Sequence, residues 1–308
     1  MNEKQKPSLQ STLKSKDTEE TIDLIFYRPV GYYWALLFSR LGIVPNAVTI
    51  ASIFLGVAAG VMFYFDNLWY NLIGVFLLIW ANTYDSADGQ LARMTGKKSD
   101  IGRALDGIAG DLWFYSIYFF ICLRLHPEWS YWIWILAAIA GFCHSRQAAM
   151  ADYYRNVHLF FLNGKSGSEL NRSAQLYELF RSLPWKGYII NKLYYYFYGK
   201  YTASQEELSP KFQRFFTLIC KCYGEEVPQP LANEFCKESK PLMTYTNILT
   251  FNIRIIVLFI GLFIGHPWIY FIFELTVLNV LLAYMIYKHE SFSARLYLQL
   301  KQQSGREE

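Results

Sequence analysis

The chain has 308 residues, of which 53% are hydrophobic, and its mean hydropathy is +0.13. Soluble domains usually contain about 45–50% apolar residues, and the excess here lies in long runs, which indicates a membrane protein. The net charge of +4 is small, and basic loops that face anionic lipid explain it better than nucleic-acid binding does. Nothing in the sequence indicates a nucleic-acid partner.

The apolar segments begin after a polar tail. Residues 26–42 are aromatic and apolar with two arginines, and they predict an amphipathic helix that lies in the membrane interface. Six apolar runs follow, each long enough for a helix that crosses a hydrocarbon layer of about 30 Å. These runs are residues 45–66, 68–91, 101–124, 129–150, 246–264 and 267–288. The sequence therefore predicts an all-α integral membrane protein with six transmembrane helices and an N-terminal interfacial helix.

The distribution of Lys and Arg predicts the orientation. The loop between the second and third runs carries Arg93, Lys97, Lys98 and Arg103, whereas the links between the first and second runs and between the fifth and sixth carry none. The positive-inside rule then places both termini and this loop in the cytoplasm, in a bacterial inner membrane or its equivalent. Residues 151–245 mix Tyr, Phe and Lys, which favours short helices on the cytoplasmic membrane surface.

This topology divides the chain into five parts. They are a polar cytoplasmic tail (1–25), the interfacial helix with four spans (26–150), a membrane-surface insertion (151–245), two further spans (246–290) and a second cytoplasmic tail (291–308).

Acidic residues lie at the cytoplasmic ends of the second and third runs. Asp85 and Asp88 are three residues apart and share a helix face, and Asp106 and Asp111 follow in the next helix. A carboxylate in the membrane costs several kcal/mol unless it is paired or bound to a metal, so it indicates a functional site. Two antiparallel helices would bring the four carboxylates together, and hard divalent ions such as Mg²⁺ or Mn²⁺ would compensate their charge.

The residues around these carboxylates resemble a known signature. It reads Asp, two residues, Asp-Gly, two residues, Ala-Arg, about eight residues, Gly, three residues, Asp, three residues, Asp. Seven positions of this chain fall on it in register: Asp85, Asp88, Gly89, Ala92, Arg93, Gly102 and Asp106. On these residues the chain resembles the CDP-alcohol phosphotransferase family, well over residues 26–150 and loosely over 246–290.

The resemblance implies a reaction and a set of roles. Family members transfer a substituted phosphate from a CDP-linked donor to an alcohol, with release of CMP, in phospholipid biosynthesis. Two metal ions would be held by Asp85, Asp88, Asp106 and Asp111, with Asp106 and Asp111 catalytic and Asp111 the base for the acceptor hydroxyl. Gly89 and Ala92 would leave room for the cytidine and phosphates, Arg93 would contact the pyrophosphate, and Gly102 would also belong to the substrate-binding residues. Thr49 would line the nucleotide pocket or cap its helix. Relatives are often dimeric, so the resemblance also raises a homodimer.

The last signature position departs from the family. The pattern expects an aspartate at position 110, where this chain has Gly110 followed by Asp111. On an ideal helix Asp111 turns about 140° away from the face of Asp106. A π-bulge between residues 106 and 111 would restore the alignment. The alternatives are an altered site, or a base such as His144 or a phosphate of the acceptor.

The donor and acceptor are left open by the sequence. Arg146 and Arg155 favour CDP-diacylglycerol as donor and a polyol or polyol phosphate, such as inositol phosphate or glycerol phosphate, as acceptor, although both arginines also fit lipid-facing anchors. The alternative is transfer of a CDP-linked head group to diacylglycerol or ceramide. A third hypothesis is a non-catalytic cation-binding membrane protein. Arg254 and Glu274, in the last two runs, predict a structural ion pair.

Overall fold

The computed structural model describes residue 15 and residues 17–97, 100–224 and 226–304. Every regular element in these ranges is a helix, so the predicted all-α class is confirmed there. The helices are α1 (Arg28–Arg40), α2 (Pro45–Phe63), α3 (Leu68–Thr95), α4 (Asp100–Trp129), α5 (Trp132–Asn163), α6 (Ser173–Ser182), α7 (Ile189–Glu207), α8 (Pro210–Tyr223), α9 (Gln229–Ser239), α10 (Met243–Ile248), α11 (Phe251–Phe263), α12 (Ile269–Phe273) and α13 (Asn279–Ser304). Short π-helical turns cover Asp23–Tyr27 and Glu274–Leu278, and 3₁₀ turns cover Lys165–Gly167 and Lys240–Leu242.

The chain folds as two compact units. The first contains the described residues up to Phe142 together with Arg254–Leu275, and the second contains Cys143–Ile253 together with the described residues from Thr276 onward. Since α5 belongs partly to each unit, the predicted boundary after residue 150 falls inside a continuous helix. The insertion that the sequence predicts therefore begins as an extension of α5, and its short helices are α6 to α10.

Among the residues that the structure describes, four helical stretches are long and apolar enough to cross a membrane. They are Pro45–Phe63, Leu105–Trp129, Gln229–Phe263 and Ile269–Gln302. The protein is therefore an integral membrane protein. Helices α3 and α5 cover the predicted spans 68–91 and 129–150 but are not among these four, so the count of six spans stays a prediction.

Local sequence signals explain where the first helices begin and end. Val44 is extended and Pro45 occupies the first turn of α2, where its fixed φ suits a helix and its missing N–H costs nothing. The Asn67 side chain accepts a hydrogen bond of 2.9 Å from the Trp69 N–H at the start of α3. Gly96 ends α3 in the left-handed conformation, with φ of 68°.

Two glycines of α2 allow close packing against α4. A Cβ atom at Gly56 would lie 2.1 Å from the Trp113 ring, and one at Gly60 would lie 2.3 Å from Ser116 Oγ and 2.8 Å from a Ser116 backbone atom. The Ser116 hydroxyl also donates a 3.0 Å hydrogen bond to the Val57 carbonyl. Small residues four apart are the usual means by which membrane helices approach closely.

Gly60→Ala is therefore expected to destabilise the protein by about 1–3 kcal/mol, because the added methyl group meets backbone that cannot give way. Gly110→Ala on α4 is the matched control, since a Cβ atom there meets nothing within 4 Å. Thermal unfolding in detergent should show a lower midpoint for Gly60→Ala only. Equal midpoints for the two variants would show that the α2–α4 contact is looser than the structure indicates.

The segment predicted as an interfacial helix packs against α3. Ala35 and Phe38 of α1 form a buried cluster with Val48, Ala87 and Leu91. The Gln90 side chain donates a hydrogen bond of 3.0 Å to the Arg28 carbonyl. Helix α1 thus lies against the part of α3 that carries the signature residues, whereas its position in the membrane interface stays a prediction.

The predicted ion pair between Arg254 and Glu274 is confirmed. The Arg254 guanidinium contacts the Glu274 carboxylate, and both side chains are at most 1% exposed. The hydroxyl groups of Tyr118 and Tyr270 also donate to this carboxylate, the latter at 2.8 Å. Since the carboxylate has several donors, its burial among apolar helices is compensated.

Candidate metal centre and substrate site

Three carboxylates of the first unit come together. Asp85 and Asp88 lie on one face of α3, and Asp106 lies in the second turn of α4. One oxygen atom of each lies within 4.8 Å of the others. Helix α2 packs against both α3 and α4, the two helices that carry these carboxylates, and so holds them in place. The sequence predicts that these three carboxylates lie close together, and the structure confirms it.

Thr49 of α2 orients one of these carboxylates. Its hydroxyl donates a hydrogen bond of 2.5 Å to Asp88 Oδ2, and both side chains are buried, at 3% and 4% exposure. The Pro45 carbonyl is the other acceptor in range, at 3.2 Å. Since a hydroxyl has one proton, the shorter contact to a charged acceptor is the stronger one. The sequence predicts that Thr49 lines the nucleotide pocket or caps its helix. Neither role includes this contact with Asp88.

Thr49→Val is expected to weaken Mn²⁺ binding by about 10–100-fold, the range typical for loss of a group that orients a metal ligand. Valine keeps the shape of threonine but leaves Asp88 Oδ2 without its donor. Thr49→Ser keeps the hydroxyl and is the matched control. Isothermal titration of the purified protein with Mn²⁺ measures the effect, and unchanged affinity in Thr49→Val would contradict the role given to this hydroxyl.

The donor set of the cluster fits a hard divalent ion. Mg²⁺ binds oxygen ligands at about 2.0–2.1 Å in octahedral geometry, which separates neighbouring ligand atoms by about 3 Å and opposite ones by about 4 Å. One carboxylate oxygen of each of Asp85, Asp88 and Asp106 lies within 4.8 Å of the others, close to this spacing. Three close carboxylates repel one another strongly, and a divalent cation offsets that repulsion. The residues present therefore fit Mg²⁺ or Mn²⁺.

Arg93 lies one helical turn beyond the carboxylates on α3. Its Nε and Nη2 atoms are buried and have no hydrogen-bond partner in the described part of the chain. A Cβ atom at Gly89 would lie 3.5 Å from both Nη atoms, so the guanidinium group extends along the backbone at Gly89. Buried guanidinium donors without a partner are costly unless a ligand accepts from them. A phosphate group is the acceptor that this planar donor suits best.

Arg28 is the residue near this site that sequence reasoning did not single out. Its guanidinium group forms a bidentate ion pair with Glu19, at 2.9 and 3.0 Å. It also lies close enough to interact electrostatically with Asp85 and Arg93. The sequence offers one signal, a basic residue directly before Pro29 at the start of an aromatic helix. This signal by itself indicates only a membrane-surface segment.

The structure does not bring Asp111 into the carboxylate cluster. Helix α4 is a regular α-helix from Asp100 to Trp129, without the π-bulge expected between residues 106 and 111. Asp111 is exposed and does not belong to the carboxylate cluster. The physical reason is the helix repeat, which turns Asp111 about 140° away from Asp106 when no extra residue is inserted. A metal-ligand role for Asp111 has no support in this geometry.

The remaining residues that the sequence predicts to bind substrate lie on α3, α4 and α5. Ala92 lies beside Arg93 on α3, and Gly102 lies one turn before Asp106 on α4. Arg146 and Arg155 belong to the second unit, on α5. The Arg155 guanidinium donates to Asn247 Oδ1 at 2.6 and 3.2 Å, so it has a structural partner there. The substrate contacts of Ala92, Gly102, Arg146 and Arg155 stay predictions.

Comparisons with known proteins match the part of the chain that carries this site. Residues 42–159 match the family model of the CDP-alcohol phosphatidyltransferases. This part of the chain is a CDP-alcohol phosphatidyltransferase domain. The domain contains α2, α3, α4 and most of α5, and hence all three clustered carboxylates. The family predicted from the signature is thus confirmed for residues 42–159.

One curated relative of the chain is an archaetidylinositol phosphate synthase from Pyrococcus horikoshii. It is 41% identical over 92 residues, which are 30% of this chain and 47% of the relative. The chain therefore matches about half the length of this curated relative. No solved structure matches the chain.

Proposed function

We propose that the protein is a membrane enzyme that transfers a substituted phosphate group from a CDP-linked donor to an alcohol and releases CMP. The observation that supports this proposal most directly is the cluster of Asp85, Asp88 and Asp106 together with Arg93, whose buried Nε and Nη2 atoms have no hydrogen-bond partner among the described residues. Carboxylates that fit a divalent ion and a cation that suits a phosphate are the two requirements for binding a nucleotide diphosphate.

The reaction breaks one bond and forms one bond at the donor phosphorus atom. The acceptor hydroxyl oxygen attacks the phosphorus that carries the substituent and loses its proton to a base or to water, and the oxygen that bridges to the cytidine phosphate leaves with CMP. A divalent ion held by the carboxylate cluster would supply positive charge that offsets the charge on the leaving phosphate. Asp111 remains a candidate for the base only if the turn between residues 106 and 111 widens beyond the one in the structure.

The chain's own residues would bind and orient the donor. Arg93 would donate to the diphosphate, and Gly89 would let the phosphates approach the backbone of α3 closely. Thr49 holds the Asp88 carboxylate in one orientation. Arg28 is held by its ion pair with Glu19, close enough to Asp85 and Arg93 to interact with them electrostatically. Such fixed charges stabilise a transition state without reorganisation during the reaction.

We propose CDP-diacylglycerol as donor and a polyol phosphate as acceptor. The name of the Pyrococcus horikoshii relative states that it synthesises archaetidylinositol phosphate, and this supports an inositol phosphate acceptor over a lipid alcohol. Transfer of a CDP-linked head group to diacylglycerol or ceramide would use the same carboxylates and remains the alternative. The distribution of basic residues supports a cytoplasmic location for the site and both termini.

The donor can be identified with two labelled substrates. Purified protein with Mn²⁺ is given either CDP-diacylglycerol labelled in its acyl chains, with inositol phosphate, or a CDP-linked head group labelled in the head group, with diacylglycerol. We expect CMP release and a labelled lipid product only in the first reaction. Product only in the second reaction would support the alternative donor.

A second candidate function is cation binding without catalysis. Gly110 at the position where the family pattern has an aspartate is the observation that favours it. Binding of Mn²⁺ and CDP-diacylglycerol without CMP release, whichever alcohol is added, would support this function and overturn the enzymatic proposal.

A further inference from the structure

The segment from the end of α6 to the middle of α7 presents large apolar side chains to the outside. Six of them are 42% to 65% exposed, and they are Trp185, Tyr188, Ile189, Ile190, Leu193 and Phe197. We call these six residues the α6–α7 patch. The patch lies outside the matched domain of residues 42–159 and outside the four stretches that suit a transmembrane helix. Contiguous exposed apolar side chains of this size indicate a binding surface.

Helix α7 has two distinct faces. At about 100° per residue, Ile189, Ile190, Leu193 and Phe197 fall within an arc of about 100°. The opposite face is used by the fold. Gly199 lies against the Tyr177 ring of α6, and the Gln205 side chain donates a hydrogen bond of 2.8 Å to the Ala149 carbonyl. The exposed arc is therefore not needed for packing inside the second unit.

The charged side chains within the segment that carries the patch are all basic. Residues 179–205 contain four cationic side chains, Arg181, Lys186, Lys192 and Lys200, and no Asp or Glu. Arg181, Lys186 and Lys200 are exposed. The fourth, Lys192, is buried and contacts residues of the patch segment. The Lys192 ammonium group donates to the Leu183 carbonyl at 2.8 Å and lies 4.9 Å from the centre of the Trp185 ring.

We propose that the α6–α7 patch docks on a membrane surface that contains anionic lipid. Trp and Tyr are enriched at the boundary between lipid and water, and aliphatic side chains beside them enter the outer acyl region. The basic side chains complement the negative charge of anionic head groups. Binding to a second copy of the same patch would instead bring two sets of cations together, and that like-charge contact is unfavourable.

The proposal gives the region outside the matched domain a defined role. A chain already embedded in the membrane needs no additional affinity for lipid to remain there. The effect of the patch is to fix the second unit on the lipid surface from which, on the proposed function, a lipid substrate is drawn. This role does not depend on the identity of the donor or acceptor.

Photocrosslinking in a membrane tests the proposal directly. Benzoylphenylalanine is placed at position 190 or 197 of the full-length protein, which is reconstituted in nanodiscs of phosphatidylcholine with or without phosphatidylglycerol. Position 223 is the matched control, because Tyr223 lies on α8 and is also 42% exposed. After irradiation, mass spectrometry identifies the crosslinked partner.

We expect lipid adducts at positions 190 and 197, little or none at 223, and a several-fold higher yield with phosphatidylglycerol. Arg181→Glu with Lys186→Glu should remove that increase. Adducts with a second copy of the chain, or none with lipid at 190 and 197, would overturn the proposal. Equal yields with and without phosphatidylglycerol would overturn the preference for anionic lipid. Since CMP release is assayed on the same samples, failure of the catalytic proposal can be distinguished from failure of this one.

Discussion

Asp88→Asn is expected to abolish Mn²⁺ binding at micromolar metal and to lower the rate of CMP release by about 10²–10⁴-fold. Asp88 is the most buried of the three clustered carboxylates, at 4% exposure, and Thr49 fixes its orientation. An amide has the same shape but carries no charge and is a poor ligand for a hard cation. The rate estimate follows because a bound metal contributes several kcal/mol of charge stabilisation, and each 1.36 kcal/mol is about a factor of ten.

The matched control is Asp111→Asn on α4. The substitution is chemically identical, but Asp111 is exposed and outside the cluster, so Mn²⁺ affinity should stay within about twofold of the original. Metal binding is measured by titration and the rate by CMP release at saturating metal. Loss of Mn²⁺ binding in Asp111→Asn, with retention in Asp88→Asn, would show that the regular turn between residues 106 and 111 is not the functional one.

Glu274→Leu is expected to have the largest effect on stability, about 3–5 kcal/mol, because it leaves the Arg254 guanidinium buried without its counter-ion. Arg254 is 1% exposed, and the Tyr118 and Tyr270 hydroxyls also lose their acceptor. Thermal unfolding in detergent micelles should show a much lower midpoint. The matched control is Glu238→Leu, which breaks the exposed ion pair with Arg295. Exposed pairs contribute about 0–1 kcal/mol, so this midpoint should barely move.

A double variant separates charge from packing in this pair. Arg254→Met combined with Glu274→Leu removes both charges, and similar replacements of buried ion pairs are often neutral or stabilising. The double variant should therefore unfold at a higher temperature than Glu274→Leu alone. If it is less stable than the single variant, the main role of Arg254 is packing or hydrogen bonding rather than compensation of the Glu274 charge.

Much of the architecture could be predicted because it depends on local pattern. The apolar runs predicted helices, and Pro45 predicted the start of α2 to the residue. The spacing of Asp85, Asp88 and Asp106 at fixed offsets predicted a shared site, and the ion pair of Arg254 and Glu274 followed from the cost of isolated charges in apolar helices. These features need no knowledge of distant contacts.

The remaining features depend on tertiary contacts or on local backbone choices. The contact between Thr49 and Asp88 joins residues 39 positions apart, and no periodicity reports such a pairing. Arg28 reaches the site because Gly31 allows α1 to approach α3 closely, a consequence of packing rather than of local sequence. The turn after Asp106 could form either a regular helix or a π-bulge, because the two differ little in sequence preference. The structure has the regular helix.

The most direct test of the proposed site is pulsed electron–nuclear double resonance on the Mn²⁺-loaded protein. The central claim is that Asp85, Asp88 and Asp106 hold a divalent ion that contacts the diphosphate of a CDP-linked donor. Addition of CDP-diacylglycerol should produce a ³¹P coupling typical of phosphate oxygen bound to the metal, and Asp88→Asn should remove it. A protein that binds both Mn²⁺ and CDP-diacylglycerol, yet shows no ³¹P coupling, would contradict the claim.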